Sequence, residues 1–387
     1  AKFSISQPIL RTVAITTIRR DAYSTGNHRT SLRLIGKNDR ANVVYAQVFA
    51  GPNEALQKQE FPLPAALAAG EVLVEISLAT ICGSDLHTLT GQRLEKTPCI
   101  LGHEAVGRIV AFGSDRSDLE LGQRVTWSIA DSCGTCPPCR EHYLPEKCHH
   151  LFKYGHAPLA DGSGLNGCYA SHILLRPGTH IVPVPDELPD SVVAPANCAL
   201  ATVINAVSLL PIPCRSVLIQ GAGLLGLYAC ALLIERGVER VYCMDRSDQR
   251  RQHSAKFGAT PIEHVGQISA AVPDGIDAVI EVAGASALVN DGIAVLRPGG
   301  FYAFVGMVHP DTRLEITGEQ IIRKCLYIRG VHNYSPRHLD EAIHFLQLTV
   351  TRYPYAALVS EPVPLDDLQR AIALAHTQQY LRVAVRP

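Results

Sequence analysis

Apolar positions in this chain follow two different periods. Between Val43 and about Ala199 they fall in short runs rich in β-branched residues. These runs are Val43–Phe49, Glu71–Ser77, Ala105–Ala111 and Arg124–Ile129. Gly51-Pro52, Gly70, Gly91, Gly113 and Gly122 separate them, which predicts short strands joined by tight turns and hence a β-rich domain, a partly open barrel. From about Ala199 strand-like runs alternate with helical ones. Val217–Gln220, Val241–Asp245, Ala278–Val282 and Phe301–Gly306 predict strands; Leu224–Arg236 and Asp248–Phe257 predict helices stopped by Gly237 and Gly258. Arg297-Pro-Gly-Gly300 is expected to close a third helix. This alternation predicts a parallel sheet covered on both faces. Beyond Gly330 the pattern turns helical: Ser335-Pro336 opens a helix over Leu339–Leu348, and Asp366 opens another before a last strand at Arg382-Val-Ala-Val385.

Within the second regime, Ser216-Val-Leu-Ile-Gln220 runs into Gly221-Ala-Gly223-Leu224-Leu225-Gly226 and then into an alanine-rich helix. A G-x-G-x-x-G turn between strand and helix is the context of a dinucleotide site. The first glycine permits the turn, the second lets backbone approach a pyrophosphate, and the third lets helix and strand pack closely. Free N–H groups at the helix start face the phosphates. Asp245 ends the next strand, 19 residues after Gly226, where an acid accepts both ribose hydroxyls and favours NAD over NADP. Arg246 follows and is placed to contact a phosphate instead.

Composition narrows the class without naming it. The 387 residues suffice for two domains, 47 % are hydrophobic and 18 % charged, and the net charge is −1. No global basic field points to nucleic acid or an anionic membrane, and no uninterrupted apolar run nears the roughly 18 residues of a membrane span. Residues 1–42 are basic and rich in Ser and Thr. They read as a poorly ordered extension, with an organelle transit peptide as the alternative.

Four of the twelve cysteines crowd into Cys133-x2-Cys136-x2-Cys139-x8-Cys148. Four thiolates at this spacing suit a closed, tetrahedral, structural zinc site. Disulfides and an iron–sulfur cluster are the alternatives, and metal ligation implies a reducing compartment, here the cytoplasm. Other candidates are dispersed: Cys82-Gly-Ser84-Asp85-Leu-His87, then Gly102-His103-Glu104, then Cys198. Each alone is ordinary core or surface chemistry.

Taken together, C-G-S-D-L-H at 82–87, G-H-E at 102–104, the cysteine loop at 133–148 and G-A-G-L-L-G at 221–226 resemble the zinc-dependent medium-chain alcohol dehydrogenases. The resemblance runs from about Val44 to Val385. It implies an α/β protein in which a GroES-like β-rich catalytic domain (43–199 and 333–387) joins a doubly wound Rossmann domain (200–332). It implies a catalytic zinc on Cys82, His103 and Cys198, with Glu104 beside it and Asp85 orienting the histidine. Ser84 and His87 match a relay that carries the alcohol proton outward through the cofactor ribose. Arg250 matches a contact to the adenosine ribose, Val305 the strand end that meets the carboxamide, and Arg382 a contact to the pyrophosphate.

The expected protein is thus an oxidoreductase with two zinc ions per chain. It moves hydride between an alcohol and NAD, acts on a small molecule, and assembles as a homo-dimer or homo-tetramer. A sheet edge near Phe301–Gly306 is the expected dimer contact. Segments 151–156 and 330–336 resemble a bacterial subgroup associated with phosphonate catabolism, which implies a polar alcohol or a hydroxyalkyl phosphonate. A polyol or threonine-type dehydrogenase is the runner-up, and a non-enzymatic cofactor-binding protein on the same fold is the third reading. Trp127, Ile129 and Tyr334 are expected as pocket walls. The x8 spacing exceeds the family's usual x7, and the extra residue is expected after Glu141.

Overall fold

Six parallel strands form the dinucleotide-type sheet, in the spatial order Thr260–Ile262, Arg240–Met244, Ser216–Gln220, Ile276–Glu281, Leu296–Phe304, Tyr327–Gly330. In chain order this is 3-2-1-4-5-6, the doubly wound Rossmann arrangement. The order reverses between Ser216–Gln220 and Ile276–Glu281, so a crevice opens at their carboxyl ends. Ser216–Gln220 is buried at every position, as a central parallel strand covered on both faces must be. Helix Leu224–Glu235 follows it and is apolar nearly all round, because it sits between the sheet and the rest of the molecule. This computed structural model describes residues 43–387 except 310 and 311. The extension expected at 1–42 lies outside the described residues.

The β-rich part is built on the antiparallel pair Val72–Ile81 and Glu104–Phe112. Arg124–Trp127 and Ile181–Pro183 extend it on one side, and Val383–Arg386 with Val363–Pro364 on the other. The last strands of the chain therefore return to the first unit, joining Ala384 to Thr80 in register. One hydrophobic core links the two parts, because Leu78 and Val106 of the β-rich sheet share a cluster with Leu227, Tyr228 and Ala278.

Several expectations shift. Arg297–Gly300 does not cap a helix: helix Ala287–Val295 ends before it, and these residues already belong to strand Leu296–Phe304. Gly299 there takes φ 72°, and the register slips between Ile276 and Ala278. An irregular strand containing Pro-Gly-Gly has the composition of a loop, which explains the misreading. The Phe301–Gly306 region is not a sheet edge either. Leu296–Phe304 is paired on both sides, and the free edge on that side of the sheet is Tyr327–Gly330, exposed throughout. Strands Gln57–Pro62 and His172–Leu175 carried too little apolar periodicity to be read. The helical run Asp190–Ser208 is long and apolar enough to cross a membrane, yet 78 % of its most apolar window is buried inside the protein.

Candidate active site and cofactor cleft

The tight strand-to-helix step after Ile81 places the first donors. Cys82 sits at the N-terminus of helix Gly83–Leu89, and its backbone N–H donates to Asp85 Oδ2 at 2.9 Å. The paired strand begins at Glu104, directly after His103, and Thr80 faces Glu104 in register. Gly102 takes φ 88°, and a Cβ there would stand 2.8 Å from the Tyr169 ring. Only glycine lets the chain turn against that ring and aim His103 inward. Cys198 arrives from elsewhere, on the π-helical turn Ala196–Leu200. Asn197 anchors that turn by donating to the carbonyls of His103 (3.0 Å) and Trp127 (2.9 Å). An extra residue in a helical turn is a common way to re-aim a functional side chain.

The result is one cluster: donor atoms of Cys82, His103, Glu104 and Cys198 all lie within 4.8 Å of one another. The Cys198 thiol, and against burial the Arg382 guanidinium, hold Cys82 well below the usual thiol range. Burial opposes charge on His103, but the Asp85 carboxylate overrides it and lifts the imidazole well above its ordinary value. Asp85 Oδ1 lies 3.5 Å from His103 Nδ1, leaving the other ring nitrogen for the sulfurs. Tyr169 donates to Asp85 Oδ2 at 2.9 Å. Two sulfurs and an imidazole, with the ring steered from behind by a carboxylate, fit zinc with room for another ligand.

Glu104 is fully buried and takes hydrogen bonds from Thr80 Oγ1 (2.7 Å) and from Arg382 Nε (2.8 Å) and Nη2 (2.9 Å). Burial raises its carboxyl to about 7 despite Arg382. Arg382 Nη2 also reaches Cys82 Sγ at 3.6 Å, so this guanidinium is directed at the donor cluster. Ser84 and His87 lie one turn apart on helix Gly83–Leu89, which puts them on one face. Burial, then the neighbouring His309, lowers His87; the two rings are 4.3 Å apart.

The second cluster is made of the four loop cysteines. Cys148 Sγ lies 3.4 Å from Cys133 Sγ and 3.7 Å from Cys136 Sγ, and Cys136 and Cys139 are 3.5 Å apart. All four fall within 4.8 Å of one another. Sulfurs about 3.8 Å apart are the edges of a tetrahedron around zinc at about 2.3 Å, so the loop fits that ion. Hydrogen bonds from Thr135 lower Cys133 to about 5. Tyr143, in the segment where the extra residue is expected, takes φ 55° and is 81 % exposed.

On the cofactor side, Gly221 takes φ 109°, and a Cβ on Gly226 would meet the Gly221 carbonyl at 1.9 Å. Helix and strand therefore pack in contact, with Leu224 buried and Leu225 partly so. Asp245 accepts from the Ala222 and Ser247 N–H groups, both at 2.9 Å, and lies 3.9 Å from Arg250. Asp245, Arg246, Arg250 and His253 line a cavity of about 250 Å³ closed by Thr377–Leu381. Val305 and Phe304 border a larger cleft of about 490 Å³ with Lys147 and His332. Glu281, not singled out in the sequence, accepts from Gly306 N–H at 3.1 Å and shapes the backbone beside Val305.

The expected pocket walls fare unevenly. Ile129 and Tyr334 line a cavity of about 20 Å³. Tyr334 donates to the Asn197 carbonyl and accepts from Ile129 N–H at 3.2 Å, so it braces the Cys198 turn. Trp127 is fully enclosed in the β-rich core and walls nothing. Cys99 is equally buried, and burial pushes its thiol up to about 12. Sequence reasoning missed Tyr169, Glu95 and His156. His156 Nδ1 lies 3.0 Å from Glu95, and its ring is 5.3 Å from that of His103. Only the chemistry of isolated polar residues could have flagged them.

A Rossmann sheet that shares its core with a β-rich sheet carrying a thiol–imidazole cluster defines a metal- and dinucleotide-type oxidoreductase. Residues 68–186 match the alcohol dehydrogenase GroES-like domain family, and residues 189–386 match the glucose dehydrogenase C-terminus family. The chain is 28 % identical to an L-threonine 3-dehydrogenase of Stenotrophomonas maltophilia over 333 residues, spanning 82 % of this chain and 92 % of that one. It is 30 % identical to a Mycobacterium tuberculosis protein named "Probable zinc-binding alcohol dehydrogenase", spanning 84 % of each. An alcohol dehydrogenase structure from Thermotoga maritima superposes with a TM-score of 0.84 at 28 % identity, covering 89 % of this chain and 99 % of that one. This chain belongs to the zinc-dependent medium-chain alcohol dehydrogenase family.

Proposed function

We propose that this chain oxidises an alcohol with NAD, using one zinc ion on Cys82, His103 and Cys198 and a second on Cys133, Cys136, Cys139 and Cys148. The observation that carries it is the convergence of Cys82, His103, Glu104 and Cys198 from three separate segments, in a chain that also holds a doubly wound parallel sheet. A zinc ion there supplies Lewis-acid stabilisation of the alcohol oxygen as its proton leaves. The chain's own residues do the rest. Asp85 and Tyr169 hold the His103 ring in one orientation. Glu104, neutralised by Arg382, stands within reach of the donor cluster for ligand exchange. Ser84 takes the alcohol proton, and His87, kept neutral near pH 7 by burial and by His309, receives it at the surface.

The glycine turn holds the pyrophosphate at Gly221, Gly223, Leu224, Leu225 and Gly226, with Arg382 a further contact. Asp245 binds the adenosine ribose with Arg250 beside it, and Arg246 borders the same cavity. Val305 backbone receives the carboxamide. The catalytic unit comprises 43–199 and 333–387, and the cofactor unit 200–332. Twelve cysteines without a disulfide among the described residues suit a reducing, cytoplasmic setting. The exposed edge Tyr327–Gly330 suits pairing with a second copy.

The test is metal analysis with turnover: about two zinc ions per chain are expected, with NAD reduction lost on chelation. A chain with neither bound zinc nor NAD- or NADP-linked turnover on a broad alcohol panel refutes the reading. A threonine-type substrate is the second reading, favoured by the Stenotrophomonas relative, and threonine belongs on the panel.

A further inference from the structure

The cavity beside Asp245 has walls from two distant parts of the chain. Asp245, Arg246, Arg250 and His253 of the Rossmann unit line one side. Leu358 and Thr377–Leu381, which lead into the last strand of the β-rich sheet, line the other, around about 250 Å³. One side-chain hydrogen bond joins the two walls. Arg250 Nη2 donates to Gln378 Oε1 at 3.0 Å, across 128 positions of sequence.

Gln378 occupies a position that does not ask for glutamine. Helix Leu368–His376 ends at Thr377, and Gln378 follows with φ 57°. Its N–H donates back to the Ala375 carbonyl at 3.2 Å, so the chain makes a left-handed helix stop here. Glycine is the usual residue at such a stop, because a Cβ is strained there. The backbone of this turn therefore gains nothing from a long polar side chain, and the contact that side chain makes is the one to Arg250. The run that carries it is anchored on its far side. The Leu381 and Arg382 N–H groups both donate to the Leu358 carbonyl, at 3.0 and 3.1 Å, and Arg382 closes on the buried Glu104.

Arg250 is held on both sides of its guanidinium. Nη1 lies 3.9 Å from Asp245 Oδ2, and Nη2 is engaged by Gln378. Asp245 is itself fixed by the Ala222 and Ser247 N–H groups, both at 2.9 Å. Asp245, Arg250 and Gln378 thus form one row that spans the cavity. A carboxylate at this place accepts ribose hydroxyls and repels a 2′-phosphate. A guanidinium with free N–H groups does the opposite, because its fork matches phosphate oxygens. Both groups are present here, so the acid alone does not settle the choice. An amide oxygen that takes one N–H of the guanidinium competes with a phosphate for it and adds no charge of its own.

Resting on the reading of this cavity as the adenosine ribose site of a dehydrogenase, we propose that Gln378 is a specificity-determining residue for the cofactor: it ties Arg250 across the cavity, withholds that guanidinium from a 2′-phosphate, and so favours NAD over NADP from the opposite wall. Selection is then shared between two parts of the chain. Asp245 repels the extra phosphate from the Rossmann sheet. Gln378, hung from the segment that ends in Arg382, restrains the cation that would offset that repulsion.

The test uses the zinc-loaded full chain and reads the dissociation constants of NADH and NADPH by fluorescence titration. The native chain is expected to bind NADH at least about tenfold more tightly than NADPH. Gln378→Gly removes the side chain where φ suits glycine, so the helix stop is kept and the melting temperature is expected to hold or rise. In that variant the preference for NADH should fall at least about fivefold, a discounted effect because Gln378 lies at the exposed rim. Gln378→Glu keeps a partner for Arg250 and sets a negative charge against the 2′-phosphate, so the preference should rise at least about threefold. Arg246 lines the cavity in every variant, so its contribution cancels in these ratios.

A merely structural role for Gln378 is separated by Arg250→Met. With no guanidinium left to release, the preference should no longer respond to Gln378→Gly. An equal preference in the native chain and Gln378→Gly, or an effect of Gln378→Gly that survives Arg250→Met, overturns the proposal and leaves the dehydrogenase standing. A native chain that prefers NADPH does the same. A chain that binds neither dinucleotide overturns the proposal together with the reading of the cavity on which it rests.

Discussion

Arg382 and Glu104 meet through two parallel hydrogen bonds, Nε to Oε2 at 2.8 Å and Nη2 to Oε1 at 2.9 Å, with the carboxylate wholly enclosed. They lie 278 positions apart, so the last strand of the chain brings neutralising charge to the first sheet. Removing one partner strands the other. Arg382→Met is expected to lower unfolding free energy by about 3–5 kcal/mol, the usual cost of breaking a buried pair. Glu104→Gln combined with Arg382→Met should recover more than half. Urea titration of the single and double variants checks this; additive losses would mean that the two side chains act independently.

Asp85 steers His103 without being one of the cluster donors. Asp85→Asn keeps its shape and removes the charge facing Nδ1, so zinc affinity at the Cys82 cluster should drop about 10- to 100-fold. Competition against a chelator measures it directly. Tyr169→Phe, which removes one donor to Asp85, should produce a smaller loss in the same assay.

Two glycines of the turn separate fold from binding. A Cβ at Gly226 would collide with the Gly221 carbonyl, whereas one at Gly223 meets nothing within 4 Å. Gly226→Ala should therefore cost about 1–3 kcal/mol of stability as helix and strand are forced apart. Gly223→Ala should stay within about 0.5 kcal/mol of the native chain while weakening NADH binding, because the proposed function puts the pyrophosphate against that position. Thermal melts and NADH fluorescence titration, run on both variants, distinguish the two roles.

Cys136→Ser should release one zinc ion of the two and leave the other in place, since the clusters share no residue. Metal analysis by mass spectrometry reads the count. Loss of both ions together would show that the loop and the catalytic cluster are coupled.

His338 gives the fold a defined response to acid. Its ring is buried, Ser335 N–H points at Nδ1 (3.2 Å) and Arg337 Nε at Nε2 (3.3 Å), so a proton on the ring would meet existing donors. Burial, then Arg337 and Arg236, bring it down to about 4 from the ordinary histidine value of 6.5. The stabilisation is complete above the unfolded value and is lost as pH falls from 6.5 toward 4, because the unfolded chain takes up the proton first. Between neutral pH and about pH 5 the native chain should lose about 2 kcal/mol more than His338→Gln. Parallel unfolding curves for the two proteins would contradict this.

Local pattern carried much of the fold. The strand at Ser216–Gln220, the glycine turn and the helix from Leu224 were all legible, because turn chemistry and periodicity are properties of neighbouring residues. The cysteine loop was legible for the same reason: all four sulfurs lie within 16 positions, so their spacing nearly dictates their meeting. Strand Leu296–Phe304 was not, since its Pro-Gly-Gly bulge has the composition of a loop and only pairing with Ile276–Glu281 makes it a strand.

By itself the sequence determined the two-part architecture, the motif positions and a family. Only the tertiary structure decided that Cys198 reaches Cys82 and His103 on a π-helical turn, that Arg382 neutralises Glu104, and that Tyr169 braces Asp85 behind His103. The physical reason is range. Turns, caps and metal-loop spacings act over a few residues, whereas a donor set and a buried ion pair drawn from distant segments form only once the chain has folded.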